Sequence, residues 1–328
     1  MFRHRNEYPV EGELPSFNGA TAWLNSEPLT AGALDGRVVL VSFGTYTCIN
    51  WIRSLPYVRA WADKYRSQGL TVVGVQTPEF DFEGNLDWVR RAIEEMDVRY
   101  PVAVDNDYAG WQAFDNHYWP ALYFVDAEGR IRHHHFGEGE YMASEMALQM
   151  LLREASRDVD ESLLDIVPEG VEAEADWANL RSPETYLGYG HTVGFASPGG
   201  LAPDRRRSYA PPTALGRNEW ALSGDWRVGQ EPAQLDEAGG AIQLGFHARD
   251  VHLVMGPPAG RPPVRFAVRL DGEPPGPARG VDVDEGGGGT ADYQRMYQLI
   301  RQDGPVGDRL FEIEFLDAGV EAFVFTFG

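Results

Sequence analysis

Apolar strand-like runs alternate with helix-like patterns through the first half of the chain, and this alternation constrains the fold more than any other feature. Residues 38–44 and residues 70–75 are short, largely β-branched runs that suit strands buried on both faces. Between them, from about residue 48 to residue 67, apolar side chains recur every three or four positions, which predicts a helix. Because parallel strands need helical crossovers, the two strands are predicted to lie parallel in one sheet.

The remaining elements of this half complete an α/β domain. A helix, a short strand, a helical turn, a two-stranded hairpin and a final helix are predicted in that order, over residues 85–97, 102–104, 107–115, 121–125 with 131–136, and 143–155. Because the strands of a hairpin are antiparallel, the sheet is mixed, and the crossovers place helices on both of its faces. We therefore predict an α/β domain over residues 1–155.

The character of the chain changes after about residue 180. Residues 156–180 are acidic and weakly patterned, which predicts a linker. Beyond them, clusters of glycine and proline separate short strand-like runs, such as residues 241–246 and residues 321–327. Many short strands with turn-rich joints predict an all-β jelly-roll sandwich over residues 181–328.

Charge and cysteine content exclude several classes of function. The 328-residue chain carries 50 acidic and 28 basic side chains, a formal charge of −22, and such a surface repels nucleic acid and anionic membranes. The single cysteine leaves no intramolecular disulfide and no cysteine-rich zinc site. No run of about 18 apolar residues predicts a membrane span, and the charged first seven residues predict no secretory leader. We expect a soluble cytoplasmic protein, or an extracytoplasmic one if a leader or membrane part is missing from the sequence.

The segment around the cysteine, residues 39–51, reads V-L-V-S-F-G-T-Y-T-C-I-N-W and resembles the active-site region of TlpA-like thioredoxins. Within that family it is similar to the soluble C-terminal region of DipZ-type cytochrome-biogenesis proteins, where the pattern is W-T-Y-T-C-I-N-C and then L-P. Here Gly44 stands in place of the tryptophan and Trp51 in place of the second cysteine, whereas Leu55-Pro56 is retained. Further matching segments are residues 73–80, 100–108, 118–121 and 135–141.

This resemblance covers most of residues 10–155 and implies a thioredoxin-like domain whose Trp119-Pro120 bond is cis and faces the active site. Residues 183–189 also resemble the junction that precedes a carbohydrate-binding-like β-sandwich in the same proteins. The implied architecture is a thioredoxin-like α/β domain followed by a jelly-roll sandwich, without the membrane-spanning part of those relatives. The family implies thiol–disulfide oxidoreductase chemistry with protein thiols or a low-molecular-weight thiol as partners and no cofactor.

Cys48 is the candidate nucleophile because it stands between the predicted strand and the predicted helix. A thiolate attacks disulfides, and a helix N-terminus favours the thiolate. The second cysteine that would resolve the mixed disulfide is replaced by Trp51, and this absence favours binding without turnover. Three hypotheses remain open: a monothiol enzyme whose adduct is resolved by an external thiol, a one-cysteine peroxidase with Thr45 three residues before the cysteine, and a redox-inactive binding protein. In the last, Cys48 is a small buried hydrophobe, and a peptide strand binds along the edge marked by Pro120.

Several side chains are predicted to surround the cysteine. The predicted lining comprises Thr45, Tyr46, Asn50, Trp51 and Trp119. Trp51 is interpreted either as an exposed partner contact at the helix start or as a packed core residue. Candidate proton acceptors are Glu79, Glu138 and Glu140, for which a surface position is the more common outcome. The histidine run 133–135 lies in a strand whose side chains alternate between faces, which argues against a shared metal ion.

The second domain carries two further sets of candidates. Aromatic rings stack on the C–H faces of sugars, so a carbohydrate is a candidate ligand, although a place in the core is the more common role of such rings. The aromatic candidates are Trp220, Trp226, Tyr293 and Tyr297. Carboxylates near the glycine-rich loop 286–289 suggest a calcium site, but their spacing fits no EF-hand. These carboxylates are Asp282, Asp284 and Asp292.

Overall fold

A computed structural model describes residues 8–328, and the first seven residues, on which the expectation about a leader rests, lie outside the described residues. The chain divides into two compact units, one ending at Glu172 and one beginning at Ala173. This boundary falls inside residues 156–180, the predicted linker. The domain limits given above stay predictions. Within residues 8–328, no helix is long and apolar enough to cross a bilayer.

The first unit is built on a seven-stranded sheet. Its strands are β1 (Gly12–Glu13), β2 (Ala22–Leu24), β3 (Val38–Gly44), β4 (Leu70–Gln76), β5 (Val102–Val104), β6 (Ala121–Val125) and β7 (Arg130–Phe136), and its helices are α1 (Ala31–Leu34), α2 (Ile49–Tyr65), α3 (Leu86–Glu95), α4 (Ala109–Ala113) and α5 (Tyr141–Glu154). The strand order is β1-β7-β6-β3-β4-β5-β2. Strands β3, β4 and β5 are parallel, whereas β6 is antiparallel to β3 and β7 to β6. The predicted mixed sheet with a closing hairpin is therefore confirmed.

Strand β3 lies at the centre of this sheet and positions the cysteine. All seven of its residues are buried, as expected for an apolar strand covered on both faces. Four residues, 45–48, separate its end from the start of α2. Because parallel strands end at the same sheet edge, the segment after β4 lies beside these four residues, and the Thr77 amide donates to the Gly44 carbonyl at 3.1 Å. The turn that carries the cysteine therefore meets the segment after β4.

Residues 157–172 belong to the first unit and pack against its helices α2 and α5. The Leu164 amide donates to the buried carboxylate of Glu145 on α5 at 3.0 Å. Arg59 on α2 makes a two-pronged ion pair with Glu172, at 2.7 and 2.8 Å. Part of the acidic segment predicted as a linker therefore packs against α2 and α5. The hydrogen bonds and ion pairs that hold it there cannot be inferred from its composition.

The second unit is the predicted all-β sandwich. Its strands are β8 (Thr185–Tyr186), β9 (Arg206–Tyr209), β10 (Trp220–Val228), β11 (Ala233–Leu235), β12 (Ala241–Phe246), β13 (Asp250–Gly256), β14 (Val264–Leu270), β15 (Gly288–Ala291), β16 (Arg295–Arg301), β17 (Arg309–Phe315) and β18 (Glu321–Phe327). Residues 220–223 of β10 pair with β12, whereas residues 224–227 pair with β9, so this strand belongs to both layers. It changes layer at Gly224, whose φ of 92° suits glycine. Side chains such as Trp226, Phe266 and Phe311 meet in one core between the layers.

Candidate active site

Cys48 lies at the N-terminal end of α2, where it is the residue that caps the helix. Its amide donates to the Thr45 carbonyl at 3.1 Å, which closes the turn, and its own carbonyl accepts from the Ile52 amide at 3.0 Å, which begins the helix. The residue is partly exposed. Its sulfur lies 3.9 Å from the carbonyl oxygen of Trp119. The thiol therefore combines a helix N-terminus with partial access to solvent, the setting in which thiolates act as nucleophiles.

The Trp119–Pro120 peptide bond is cis, as the resemblance implies. The Trp119 indole donates to the Thr77 carbonyl at 3.1 Å and packs on the ring of Trp111, with centroids 4.1 Å apart. The Pro120 carbonyl accepts from the Gly137 amide at 2.9 Å. These contacts fix the backbone just before strand β6, which faces the cysteine sulfur.

Trp51 fills the position where a second cysteine would stand. Its side chain is 4% exposed, so the interpretation of an exposed partner contact is wrong and the packed interpretation is right. A Cβ atom added to Gly44 would lie 2.1 Å from Cδ1 of the indole, which means that the ring lies directly on the glycine backbone. Among the described residues, the indole N–H has no hydrogen-bond partner. The two departures from the family pattern, at positions 44 and 51, are thus in contact with each other.

The remaining predicted lining residues are placed around the same turn. Thr45 is fully buried, and its hydroxyl accepts from the Gln76 side chain at 2.9 Å. Tyr46 is also fully buried, with its ring edge-on to Phe82 at 6.3 Å. Asn50 is partly exposed in the first turn of α2. Thr45 and Tyr46 therefore support the turn from inside.

Glu83 is a buried acid that the sequence reasoning missed. Its carboxyl group is fully buried and accepts from the Thr47 and Thr45 hydroxyls and from the Phe80 amide at 3.0 Å. Burial raises the pKa of this carboxyl group above its usual range, and the hydrogen bonds, of which that of Thr47 is the strongest, offset only part of the rise. The only signal in the sequence is its place between Phe82 and Gly84, where neighbouring aromatic residues point to a buried turn.

The three predicted proton acceptors have other surroundings. Glu138 pairs with Arg53 of α2 at 3.1 Å, and both side chains are almost fully buried. Glu140 is exposed at the start of α5, and its φ is 50°. Glu79 is partly buried, and its main-chain amide donates to the Glu83 carboxyl group. The buried acid bonded to the cysteine turn is therefore Glu83.

The aromatic candidates of the second unit lie in its core. Trp220 and Trp226 are 0% exposed, and their indole N–H groups donate to the Val193 and Ser223 carbonyls at 3.0 and 2.8 Å. Buried rings with satisfied N–H groups have no face to offer a sugar, which corrects the suggested stacking role of these two residues. The other two candidates, Tyr293 and Tyr297, are 2% and 0% exposed.

The acidic and histidine candidates are bound to protein groups. Asp282 pairs with Arg295 at 2.7 Å, Asp284 accepts from the Gly286 and Gly288 amides at 2.8 and 2.9 Å, and Asp292 accepts from the Tyr297 hydroxyl at 3.1 Å. In the histidine run of β7, His134 pairs with Glu11 at 2.7 Å. Over residues 8–328, no group of three or more His, Cys, Asp or Glu side chains has the arrangement of a metal site.

Two family models match the chain, one in each half. A redoxin model matches residues 9–147, and a model of a thioredoxin-like C-terminal domain matches residues 182–328. Thiol-disulfide oxidoreductase YkuV of Bacillus subtilis is 30% identical over 141 residues, which are 43% of this chain and 95% of YkuV. The chain therefore belongs to the thioredoxin-like thiol-disulfide oxidoreductase family.

A longer relative matches both units. Protein DipZ of Mycobacterium tuberculosis is 36% identical over 254 residues, which are 75% of this chain and 35% of DipZ, so the chain spans about a third of that relative. Among solved structures, a thioredoxin-like protein in the oxidized form is 32% identical, with a TM-score of 0.40, and the match covers 44% of this chain and 96% of that structure. The resemblance to the TlpA-like family and to DipZ-type proteins is confirmed.

Proposed function

We propose that the first unit exchanges thiols and disulfides by a monothiol mechanism. The Cys48 thiolate attacks a disulfide R–S–S–R′, the sulfur–sulfur bond breaks, and a mixed disulfide of Cys48 with R forms as the thiolate R′–S⁻ leaves. An external thiolate, from a protein or a small molecule, then attacks this mixed disulfide, forms a disulfide with R and returns Cys48 as a thiolate. Each turnover therefore consumes one thiolate and one disulfide and yields one of each.

One observation carries this proposal. Three residues after Cys48, where a resolving thiol would stand, the chain has an indole packed in the core against Gly44. The attacking residue, by contrast, is partly exposed at a helix start. Because the chain has a single cysteine, the second thiol of any redox cycle comes from another molecule.

A peroxidase role has less support because the Thr45 hydroxyl is fully engaged. It accepts from Gln76 at 2.9 Å and donates to the Glu83 carboxyl group. A hydroxyl has one proton to donate, and a buried hydroxyl that already has protein partners is poorly placed to give it to a peroxide at Cys48. The hypothesis of a redox-inactive binding protein predicts an unreactive Cys48, whereas the proposal predicts a reactive one. One experiment distinguishes the two.

The test treats the native full-length protein with oxidised glutathione and measures its intact mass. We expect one glutathione per chain, attached to Cys48, and its removal by excess 2-mercaptoethanol, whereas Cys48→Ser stays unlabelled. The same protein unfolded in urea serves as the control for an accessible thiol. Labelling in urea but not in the native state would contradict the proposal and favour the binding role. An adduct that persists in excess 2-mercaptoethanol would contradict the resolving step.

A further inference from the structure

The Glu83 carboxyl group is enclosed by protein without a counter-charge. The side chain is fully buried, and among the ion pairs of residues 8–328 none involves it. Its partners are two hydroxyl groups, of Thr45 and Thr47, and two backbone amides, of Glu79 and Phe80. Burying an acid without a cation lowers the stability of the fold. A buried acid in this position therefore calls for a functional explanation.

Both hydroxyl groups belong to the turn that presents the cysteine. Thr45 and Thr47 stand on either side of Tyr46, and the Thr45 carbonyl accepts from the Cys48 amide at 3.1 Å. Two residues of the turn are therefore bonded to the same carboxyl group. That carboxyl group belongs to the segment after β4, which is 36 residues further along the chain than Thr47. The cysteine turn is fixed by a distant segment as well as by β3 and α2.

We propose that Glu83 is a positioning residue of the thiol site: it fixes the turn that presents Cys48 through Thr45 and Thr47, and its charge state controls the reactivity of the thiol. This inference rests on the proposed thiol exchange. Thr47, which is bonded to Glu83, directly precedes Cys48 in the chain, so a negative charge at position 83 opposes a second negative charge on the sulfur. A neutral group in the same place removes that opposition.

Other charged and titratable groups near the turn are already bonded to protein groups or lie at the surface. Asp81, in the same segment as Glu83, is exposed. Asp105, after β5, accepts from the Thr77 hydroxyl at 3.1 Å and the Gly110 amide at 2.7 Å. On α2, Arg53 is paired with Glu138. Glu79 and Tyr46 lie in the same two segments, and neither is a cation that could neutralise Glu83.

The experiment measures the rate of Cys48 labelling by monobromobimane from pH 4 to pH 9 in the full-length protein. Glu83→Gln keeps the shape of the side chain and removes its charge. We expect its pH of half-maximal rate to fall by at least about half a unit, which is about a threefold faster reaction at pH 6. Asp81→Asn removes an exposed charge two residues away and should shift the midpoint by less than about 0.2 units because solvent screens it.

A second pair of variants tests the same link from the turn. Thr47→Val removes a hydrogen bond that favours the charged carboxylate, so the labelling midpoint should move in the same direction as in Glu83→Gln. Thr47→Ser keeps the hydroxyl, and its labelling midpoint should stay at the wild-type value. This pair decides the matter if Glu83→Gln fails to fold, as judged by its circular dichroism spectrum.

The outcomes separate this inference from the proposal on which it rests. A wild-type thiol that is labelled no faster than free cysteine at any pH would overturn both. A reactive wild-type thiol, with the midpoints of folded Glu83→Gln and Thr47→Val within about 0.2 units of it, would overturn the role of Glu83 alone.

Discussion

Replacing the side chains at positions 44 and 51 tests the central contact of the site. In Trp51→Cys, an indole that is 4% exposed is replaced by a thiol, and the variant chain has a C-x-x-C motif at residues 48–51. In Gly44→Trp, a large ring is added on β3 where the Trp51 indole already lies. In the double variant, the new ring on β3 has the space that the old ring on α2 has left.

The structure sets the expected magnitudes. Trp51→Cys deletes most of a buried indole, and large-to-small changes of this kind cost about 3–5 kcal/mol. Gly44→Trp alone places a Cβ 2.1 Å from the Trp51 ring, and overpacking of this kind costs about 1–3 kcal/mol or more. Because the two changes compensate in volume, the double variant should lose at least about 2 kcal/mol less than the sum of the single losses.

Two assays check these values. Hydrogen exchange measured by mass spectrometry in increasing urea, on peptides from β3 and α2, assigns the free energy of unfolding to the first unit. Losses that add within about 0.5 kcal/mol would refute the inference that the two positions share one space. Insulin reduction tests the chemistry: both variants that carry C-x-x-C should gain activity over the wild type, because a resolving thiol is restored. No gain in the folded double variant would show that the rest of the site does not support dithiol exchange.

Two further predictions concern stability away from Cys48. Burial alone would raise the pKa of Asp126, but hydrogen bonds from Arg130 and the buried Arg132 outweigh burial and lower this pKa. The charged carboxylate therefore stabilises the folded first unit above the unfolded pKa of 3.8, and this stabilisation is lost as the pH falls through the folded pKa. Asp126→Asn should therefore destabilise the first unit by about 3 kcal/mol in urea at pH 7 and by much less at pH 2, and an equal loss at both would contradict the role of the charge. In the second unit, Gly224→Ala should cost about 2 kcal/mol or more by calorimetry, because φ is 92° and the new Cβ would lie 2.8 Å from another backbone segment. Gly260→Ala, with φ of 77° and open space around it, is the matched control, and an equal loss would refute the steric argument.

The sequence by itself determined the order of the elements from β3 to α5 and the place of the cysteine. Runs such as residues 38–44 are apolar at every position, and this pattern identifies a strand covered on both faces, whatever lies next to it. The predicted helix ends just before Gly69, whose φ of 105° suits glycine. This end and the turn of the β6–β7 hairpin depend on local backbone conformation, which neighbouring residues encode. The same patterns placed Cys48 between a strand and a helix, and the family resemblance marked the surrounding segment as an active-site region.

Tertiary structure alone decided what surrounds that cysteine. Gly44 and Trp51 are separate substitutions in the sequence and become one contact when β3 and α2 pack together. Glu83 reaches Thr47 across 36 positions, which no local pattern encodes. Trp226 is likewise buried in the core of the sandwich. The pairing of its strands, and not the local sequence, decides which aromatic faces remain exposed to solvent. Local patterns determine which residues form strands and helices, whereas burial and hydrogen-bond partners depend on segments that are distant along the chain.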